Sequence, residues 1–309
     1  MFDLVKKLLI IVLIPLMVQA QVAEDSSHLN NNQPKWVAAG LAAGYTAGIV
    51  ILSKYWYQQY PSEPFHFFND NAEWLQMDKA GHLFTAYTAA NWSHALWKTT
   101  GMNPRQSALA GAISSVVFVS ALEVLDGHSS EWGFSGGDML ANLLGAGLML
   151  GQEWGWNHQR IQLKFSYLPV DYSLTAVQGR ADALFGSRGI EKMLKDYNGQ
   201  TYWASFNLAS FFSKSSLPKW LNVSLGYGAG GMLGGRENIQ KDANGNILFN
   251  RSDIARVRKW YLSADIDLTS IPTRKKWVKT VFCLLNSVKI PAPALEWSAG
   301  NLQAHWIKF

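Results

Sequence analysis

The sequence predicts an α+β protein: an N-terminal bundle of four short apolar helices, then an antiparallel β-rich part with one amphipathic helix. Three observations predict it. Four nearly uncharged apolar segments occupy residues 36–53, 80–97, 106–122 and 139–152. From Arg160 the apolar residues recur at every second position instead, the period of a strand with one polar face. The charge changes sign at the same place. Residues 1–158 hold 7 Lys/Arg and 12 Asp/Glu, and residues 159–309 hold 20 and 10. The overall +5 of the 309-residue chain averages two unlike parts. A helical membrane-associated domain is expected over residues 35–158 and a β-rich domain over residues 159–309.

Residues 1–20, MFDLVKKLLIIVLIPLMVQA, read as a secretory signal. Lys6 and Lys7 form its positive end, residues 8–18 its apolar core, and Val18 and Ala20 precede a cut expected after Ala20. An 11-residue core is too short to cross about 30 Å of hydrocarbon comfortably. Residues 21–34 form a polar, flexible lead. The single cysteine, Cys283, leaves no intrachain disulfide, no cysteine metal site and no lipidation site after the expected cut.

Composition adds a membrane signal. Charged residues are only 16% of the chain, against about a quarter in most soluble domains. Fourteen Trp and 26 Gly accompany a mean hydropathy of -0.03, which excludes a bundle of uniformly apolar spans. Each helical segment is at or below spanning length, so short transmembrane helices and the buried helices of a compact bundle are both open. Gly40, Gly44 and Gly48 recur every four residues, as do Gly147 and Gly151, which predicts close helix packing.

The few polar residues of this half stand at segment ends. Asp78 and His82 are spaced i, i+4 and share a helix face. Glu123 and Asp126 end the third segment. Asp138 and Asn142, again i, i+4, open the fourth after the turn GFSGGD, with Ser135 just ahead. Asp138 can simply cap its helix, and Asp78 can simply favour a helix N-terminus. A carboxylate beside hydrocarbon is nevertheless costly unless paired or functional. Helix hairpins would let Asp78, His82, Glu123, Asp126 and Asp138 converge at one membrane face. Such a set suits acid–base chemistry by His82 with a carboxylate, or a hard to borderline cation held by oxygens and one imidazole. The identity of any metal or cofactor is not written in these spacings.

DKAGH at residues 78–82, a Glu at 123 ending the next helix, and S-x-x-D-x-x-x-N-x-x-G from Ser135 to Gly145 resemble the VanZ-like membrane proteins. They resemble more closely the YfiM-like predicted periplasmic lipoproteins and their longer relatives of Bacteroidetes type. The resemblance covers roughly residues 35–156. DYNGQTYW at 196–203 and KIPAPALE at 289–296 also look like the longer relatives. It implies roles for Asp78, Lys79, His82, Glu123, Asp138, Asn142 and Gly145, with Lys79, Ser135, Asn142 and Gly145 in support. The turn before Ser135 reads EWGFS, without the Arg common in VanZ-like chains.

In the second half, strands are expected where Ile161, Leu163, Phe165 and Tyr167 alternate with polar residues. The same pattern recurs around residues 204–208, 221–227, 260–268 and 302–306. Asn244-Gly245 signals a hairpin turn. The strands can form a barrel wall with apolar residues outward, a reading to which the terminal Phe309 adds, or a sheet packed on helices. Residues 275–288, KKWVKTVFCLLNSV, predict an amphipathic or interfacial helix with Trp277 and lysines at a headgroup zone. The glycine-rich run 226–235 lacks the Lys-Ser/Thr of a phosphate loop and predicts a bend or small-residue packing.

No nucleic-acid motif accompanies the basic half, so membrane lipid is the expected partner, with a lipid-linked or envelope glycan as a candidate substrate. Lys98 and Arg105 give no inside-out bias consistent with four spans after a cleaved signal. The outer membrane or its periplasmic face is therefore expected, with the inner membrane as the alternative. Function divides into a membrane-associated scaffold or binding protein, whose polar cluster ties helix ends together, and an enzyme using His82 with acidic partners.

Overall fold

The computed structural model describes residues 32–56, 60–173, 175–187, 189–212, 214, 216–242 and 244–308. The expected signal, residues 21–31 of the lead and Phe309 lie outside them. In chain order the elements are α1 (Gln33–Trp56), a 3-10 turn (Trp74–Gln76), α2 (Met77–Lys98), α3 (Pro104–Asp126), α4 (Gly136–Trp156), β1 (Ile161–Tyr167), α5 (Thr175–Phe185), α6 (Gly189–Lys195), β2 (Gln200–Asn207), α7 (Leu208–Phe211), β3 (Leu221–Gly230), β4 (Ile239–Lys241), β5 (Ile247–Asn250), β6 (Val257–Ile266), a second 3-10 turn (Leu268–Ser270), α8 (Lys276–Leu285), β7 (Ala292–Ser298) and β8 (Asn301–Lys308). The protein is α+β, with the four expected N-terminal helices each extending past both ends of its apolar segment. Two compact units form. One holds the described chain up to Phe68, Thr85–Gln159 and Leu268–Asn286; the other holds Asn69–Phe84, Arg160–Asp267 and the chain from Ser287 on.

The helical unit is built with small and polar residues inside and large apolar residues outside. On α3 the buried stripe is Ser107, Ala108, Gly111, Ala112, Ser115, Val119 and Glu123. The opposite side presents Leu109, Ile113, Val117 and Val124, all exposed. On α4 the buried stripe is Asp138, Ala141, Asn142, Gly145, Ala146, Met149 and Gln152, while Leu140, Leu143 and Leu144 are exposed. Water favours the reverse arrangement, whereas helices packing in lipid approach through small residues. Two helices, α1 over Gln33–Lys54 and α3, are long and apolar enough to cross a membrane, and only 6% and 33% of their apolar windows are buried.

Of the predicted glycines Gly48 faces a neighbouring helix, where an added Cβ would lie 3.8 Å from the Phe118 ring, and closer packing occurs at Gly111. A Cβ on Gly40, Gly44, Gly147 or Gly151 would meet nothing within 4 Å among the described residues. These glycines face outward. At Gly111 an added Cβ would sit 2.7 Å from the His94 backbone nitrogen, so α2 and α3 touch there. α1 is tied instead by Tyr45, whose ring stacks on Phe118 at 4.4 Å and whose hydroxyl bonds Ser93.

The second unit is a six-stranded antiparallel sheet, ordered β1-β2-β3-β6-β7-β8, plus the β4-β5 hairpin. Asn244-Gly245 closes that hairpin as expected: Gly245 has φ 84°, and the Asp242 carboxylate accepts the amides of Asn244 and Asn246. The sheet curls strongly. β1 and β6 are three ladder steps apart, roughly 14 Å in a flat sheet. Even so, Lys164 on β1 lies 2.8 Å from Asp265 and donates to the Ile266 carbonyl at 2.7 Å. Beyond β1, the Phe165 amide donates to Ser287 O and the Lys289 amide to Phe165 O.

The concave face is polar and buried, with Lys164, Ser205, Asn222 and Ser224 all at 0% exposure. The convex face is apolar. Over β1 and β2 it is covered by the first two turns of α2, where the Phe84 ring lies 5.8 Å from both Phe165 and Tyr202. Over β3, β6, β7 and β8 it is exposed. Of the two sequence alternatives, a sheet packed on a helix describes β1 and β2, and the apolar face of the remaining strands is left exposed.

Of the two readings of the run 226–235, small-residue packing holds in its first half, where residues 226–230 finish β3 as strand and do not bend. Their glycines are required by packing, because a Cβ on Gly226 would lie 2.7 Å from the Trp203 ring. Strand β7 and helices α5 and α6 carry no strong period and were not expected. Helix α8 forms as predicted, with Trp277 exposed.

Candidate functional site

Asp78, Lys79 and His82 stand on the first two turns of α2, held by a strained entry. Trp74, Leu75 and Gln76 all have positive φ (47°, 50° and 61°), unusual for residues other than glycine. Surrounding bonds impose this shape. The Trp74 amide donates to Gly235 O at 2.6 Å, Tyr227 donates to Leu75 O, Gln76 donates to Asn71 O, and Arg258 donates to Gln76 Oε1. Arg236 bridges Glu73 and the Asn69 carbonyl. Met77 then packs with Ala229 and Met232 at 0% exposure.

The resulting constellation is compact. Tyr197 donates its hydroxyl to Asp78 Oδ1 at 2.7 Å, and His82 Nε2 lies 3.8 Å from the same oxygen. Lys79 lies 2.7 Å from Asp70 and 3.3 Å from Asp78 Oδ2. Gly81 is needed for close approach: a Cβ there would sit 2.9 Å from the Tyr202 hydroxyl. Burial pushes that phenol's pKa up, and the Asp78 charge adds to the shift. At 3.8 Å the His82 imidazole stands within ion-pair reach of the Asp78 carboxylate, the relation of an acid–base group to an orienting carboxylate.

Glu123, Asp126, Ser135, Asp138, Asn142 and Gly145 belong to the helical unit. Ser135 caps α4, its hydroxyl accepting the Asp138 amide at 3.1 Å. The Ser135 amide donates to Glu123 Oε2 at 3.3 Å, which joins the end of α3 to the start of α4. Glu123 is 1% exposed, Asp138 4% and Asn142 0%. Asn142 and Gly145 follow Asp138 on the buried stripe. Asp126 lies on the last turn of α3 and is half-buried, and its carbonyl accepts the Ser129 amide.

The intervening turn is fixed by residues 62–68. Backbone bonds run from Glu63 N to His128 O, His66 N to Gly127 O, Phe68 N to Phe134 O and Phe134 N to His66 O. His66 Nε2 contacts Trp132 O at 2.7 Å, and Phe65, Phe67 and Phe134 pack edge-on or tilted around the turn. Asp78 with His82, and Glu123 with Asp138, supply oxygens and an imidazole of the kind that hard or borderline cations take.

Asp70, Tyr197 and Tyr202 were not singled out from sequence. The signal was present for the last two, because both lie in DYNGQTYW. That stretch is a hub of the sheet unit: the Asn198 side chain bonds Met232 N and O, Tyr172 and Asp196.

The sequence model of a family described as predicted periplasmic lipoprotein (DUF2279) matches residues 66–150. No curated protein and no solved structure matches the chain. The matched segment runs from the His66 strap into α4, ending at residue 150, and contains every candidate residue from Asp70 to Gly145. The chain is thus similar over this segment to predicted periplasmic lipoproteins, and that similarity supports a place in the cell envelope.

Proposed function

We propose that the protein is an exported envelope protein held in a membrane by its helical unit, acting as a scaffold or binding protein. In this reading Asp78 with His82 in the sheet unit, and Glu123, Asp126 and Asp138 in the helical unit, are polar sets that tie helix ends together and take a cation or a polar lipid headgroup. The carrying observation is the polarity of α3 and α4, with Leu and Val outward and Ser, Gly, Glu, Asp and Asn inward. A buried carboxylate in such a setting is compensated or functional. The family description supports the periplasmic side, and the outer membrane is the expected location. Separation of inner from outer membranes, with the mature N-terminus mapped, tests the place. A start at Gln21 in a carbonate-resistant outer-membrane fraction agrees; a retained leader in the inner membrane refutes it.

A second reading is favoured by one observation, the His82–Asp78 pair with Tyr197 on the shared oxygen. There His82 is an acid–base group acting on a lipid-linked or envelope glycan. His82→Ala separates the two readings. If the protein remains abundant in the membrane and a phenotype is lost, the enzyme reading holds. If the protein itself is lost, the cluster is structural.

A further inference from the structure

We propose that the uncovered half of the convex sheet face docks onto one leaflet of a lipid bilayer, as a second contact separate from the helices. This inference rests on the reading that the protein is held at a membrane. On β6 and β7 burial alternates without exception from Tyr261 to Asp265 and from Ala294 to Trp297, and every exposed position, Leu262, Ala264, Leu295 and Trp297, is apolar. Leu225, Leu262 and Leu295 are cross-strand neighbours and form one row. Tyr227, Trp260, Trp297 and Leu302 form the next. Trp260 is 49% exposed, Trp297 56% and Leu302 69%. The opposite face is filled by Lys164, Asp265 and Asn222, so the strand cannot turn over to hide these side chains.

The order of residues fits a lipid surface better than a protein partner. Along β6 the outward positions read Ala264, Leu262, Trp260, Arg258, that is aliphatic, aliphatic, aromatic, cationic. Hydrocarbon, interface and anionic headgroup follow in the same order with depth. At the other end of the patch Trp220 and Trp306 are exposed, and Lys219 beside Trp220 is exposed too. From Leu302 to Trp306 is four residues, about 14 Å at 3.4 Å each. A barrel wall presents an apolar band of about 25 Å. The patch is roughly half that, the depth of one leaflet, which argues for a face lying on the membrane and against a wall through it.

The test uses the full chain with Cys283→Ser and one new cysteine, Trp297→Cys or Leu302→Cys, labelled with the NBD fluorophore. The protein is reconstituted in phosphatidylethanolamine–phosphatidylglycerol vesicles containing doxyl lipids. Gln303→Cys, on the opposite face of β8, is the control, and Val117→Cys on α3 reports the helical unit. The expected result is at least twofold more quenching at 297 and 302 than at 303, stronger with the nitroxide near the headgroup than near the chain end. Equal quenching at 297, 302 and 303 overturns the proposal. So does protection of 297 from aqueous iodide without lipid quenching, which would mean that a second copy covers the face. If Val117→Cys is quenched while 297 and 302 are not, only this inference fails; if none is quenched, the membrane reading fails with it.

Discussion

Asp265→Asn is expected to destabilise the sheet unit by about 3 kcal/mol, the low end of the 3–5 kcal/mol typical for breaking a buried pair. The magnitude follows from the surroundings. The Asp265 side chain is 0% exposed, with Lys164 Nζ at 2.8 Å and Lys289 Nζ at 3.7 Å, and Ser205 donates to it at 2.6 Å. Asn keeps the Ser205 bond and removes the carboxylate charge that opposes the two ammonium groups. The loss stays near the low end because Lys164 still donates to Ile266 O, and Lys289 to Ala264 O and Ile290 O.

Burial already holds the Lys289 ammonium below its ordinary pKa of 10.5, with Asp265 opposing that shift. A lysine depressed in the folded state makes stability rise with pH between its folded pKa and 10.5, because the unfolded chain then binds the extra proton. The variant lowers the folded pKa further, so this rise begins at lower pH. Urea denaturation of the detergent-solubilised protein, followed by circular dichroism of the strands, measures both effects. Adding Lys164→Met to the variant should recover part of the loss. A single variant within about 1 kcal/mol of the parent, or no recovery in the double, would refute the buried-network argument.

Three further outcomes are expected. Asp196 is fully buried, and burial raises its pKa above 3.8, so the parent gains stability as pH falls through the folded pKa toward 3.8. Asp196→Asn, which still accepts the Tyr172 hydroxyl, should lose that acid-side gain and be at least as stable at pH 7, as thermal unfolding from pH 4 to 7 would read. Ser135→Ala removes the cap of α4 and should cost about 1 kcal/mol, largely restored by Thr; equal melting of Ala and Thr variants would contradict the cap. Gly226→Val sets a Cβ 2.7 Å from the buried Trp203 ring and should cost about 1–3 kcal/mol with a shift in tryptophan emission, whereas an unchanged spectrum would argue against this packing.

Much of the fold was legible because its periods are strong. Strand β1 follows from the alternation of Ile161 to Tyr167, and α3 from the uncharged run 106–122 between Arg105 and Glu123. What escaped depends on contacts distant in sequence. The left-handed turn of Trp74 to Gln76 has no glycine to announce it, since partners such as Tyr227 and Arg258, more than 150 residues away, impose it. Asp78, His82, Glu123 and Asp138 were readable as rare charges beside apolar segments, and Ser135 as a cap. Tyr197 was hidden because a tyrosine in a loop has no period, and its role appears only when its hydroxyl meets Asp78. The glycine repeat of α1 meets a neighbour at Gly48 and not at Gly40 or Gly44, because spacing shows a shared face without showing how far along it a partner runs.

The central claim is that α3 and α4 turn their large apolar residues toward lipid. It is tested most directly by nitroxide labels at Val117 and Leu143, 65% and 50% exposed, in proteoliposomes of the full chain. The account predicts high collision rates with oxygen and low rates with a water-soluble nickel chelate at both positions. High nickel accessibility at both would place these side chains in water and contradict it.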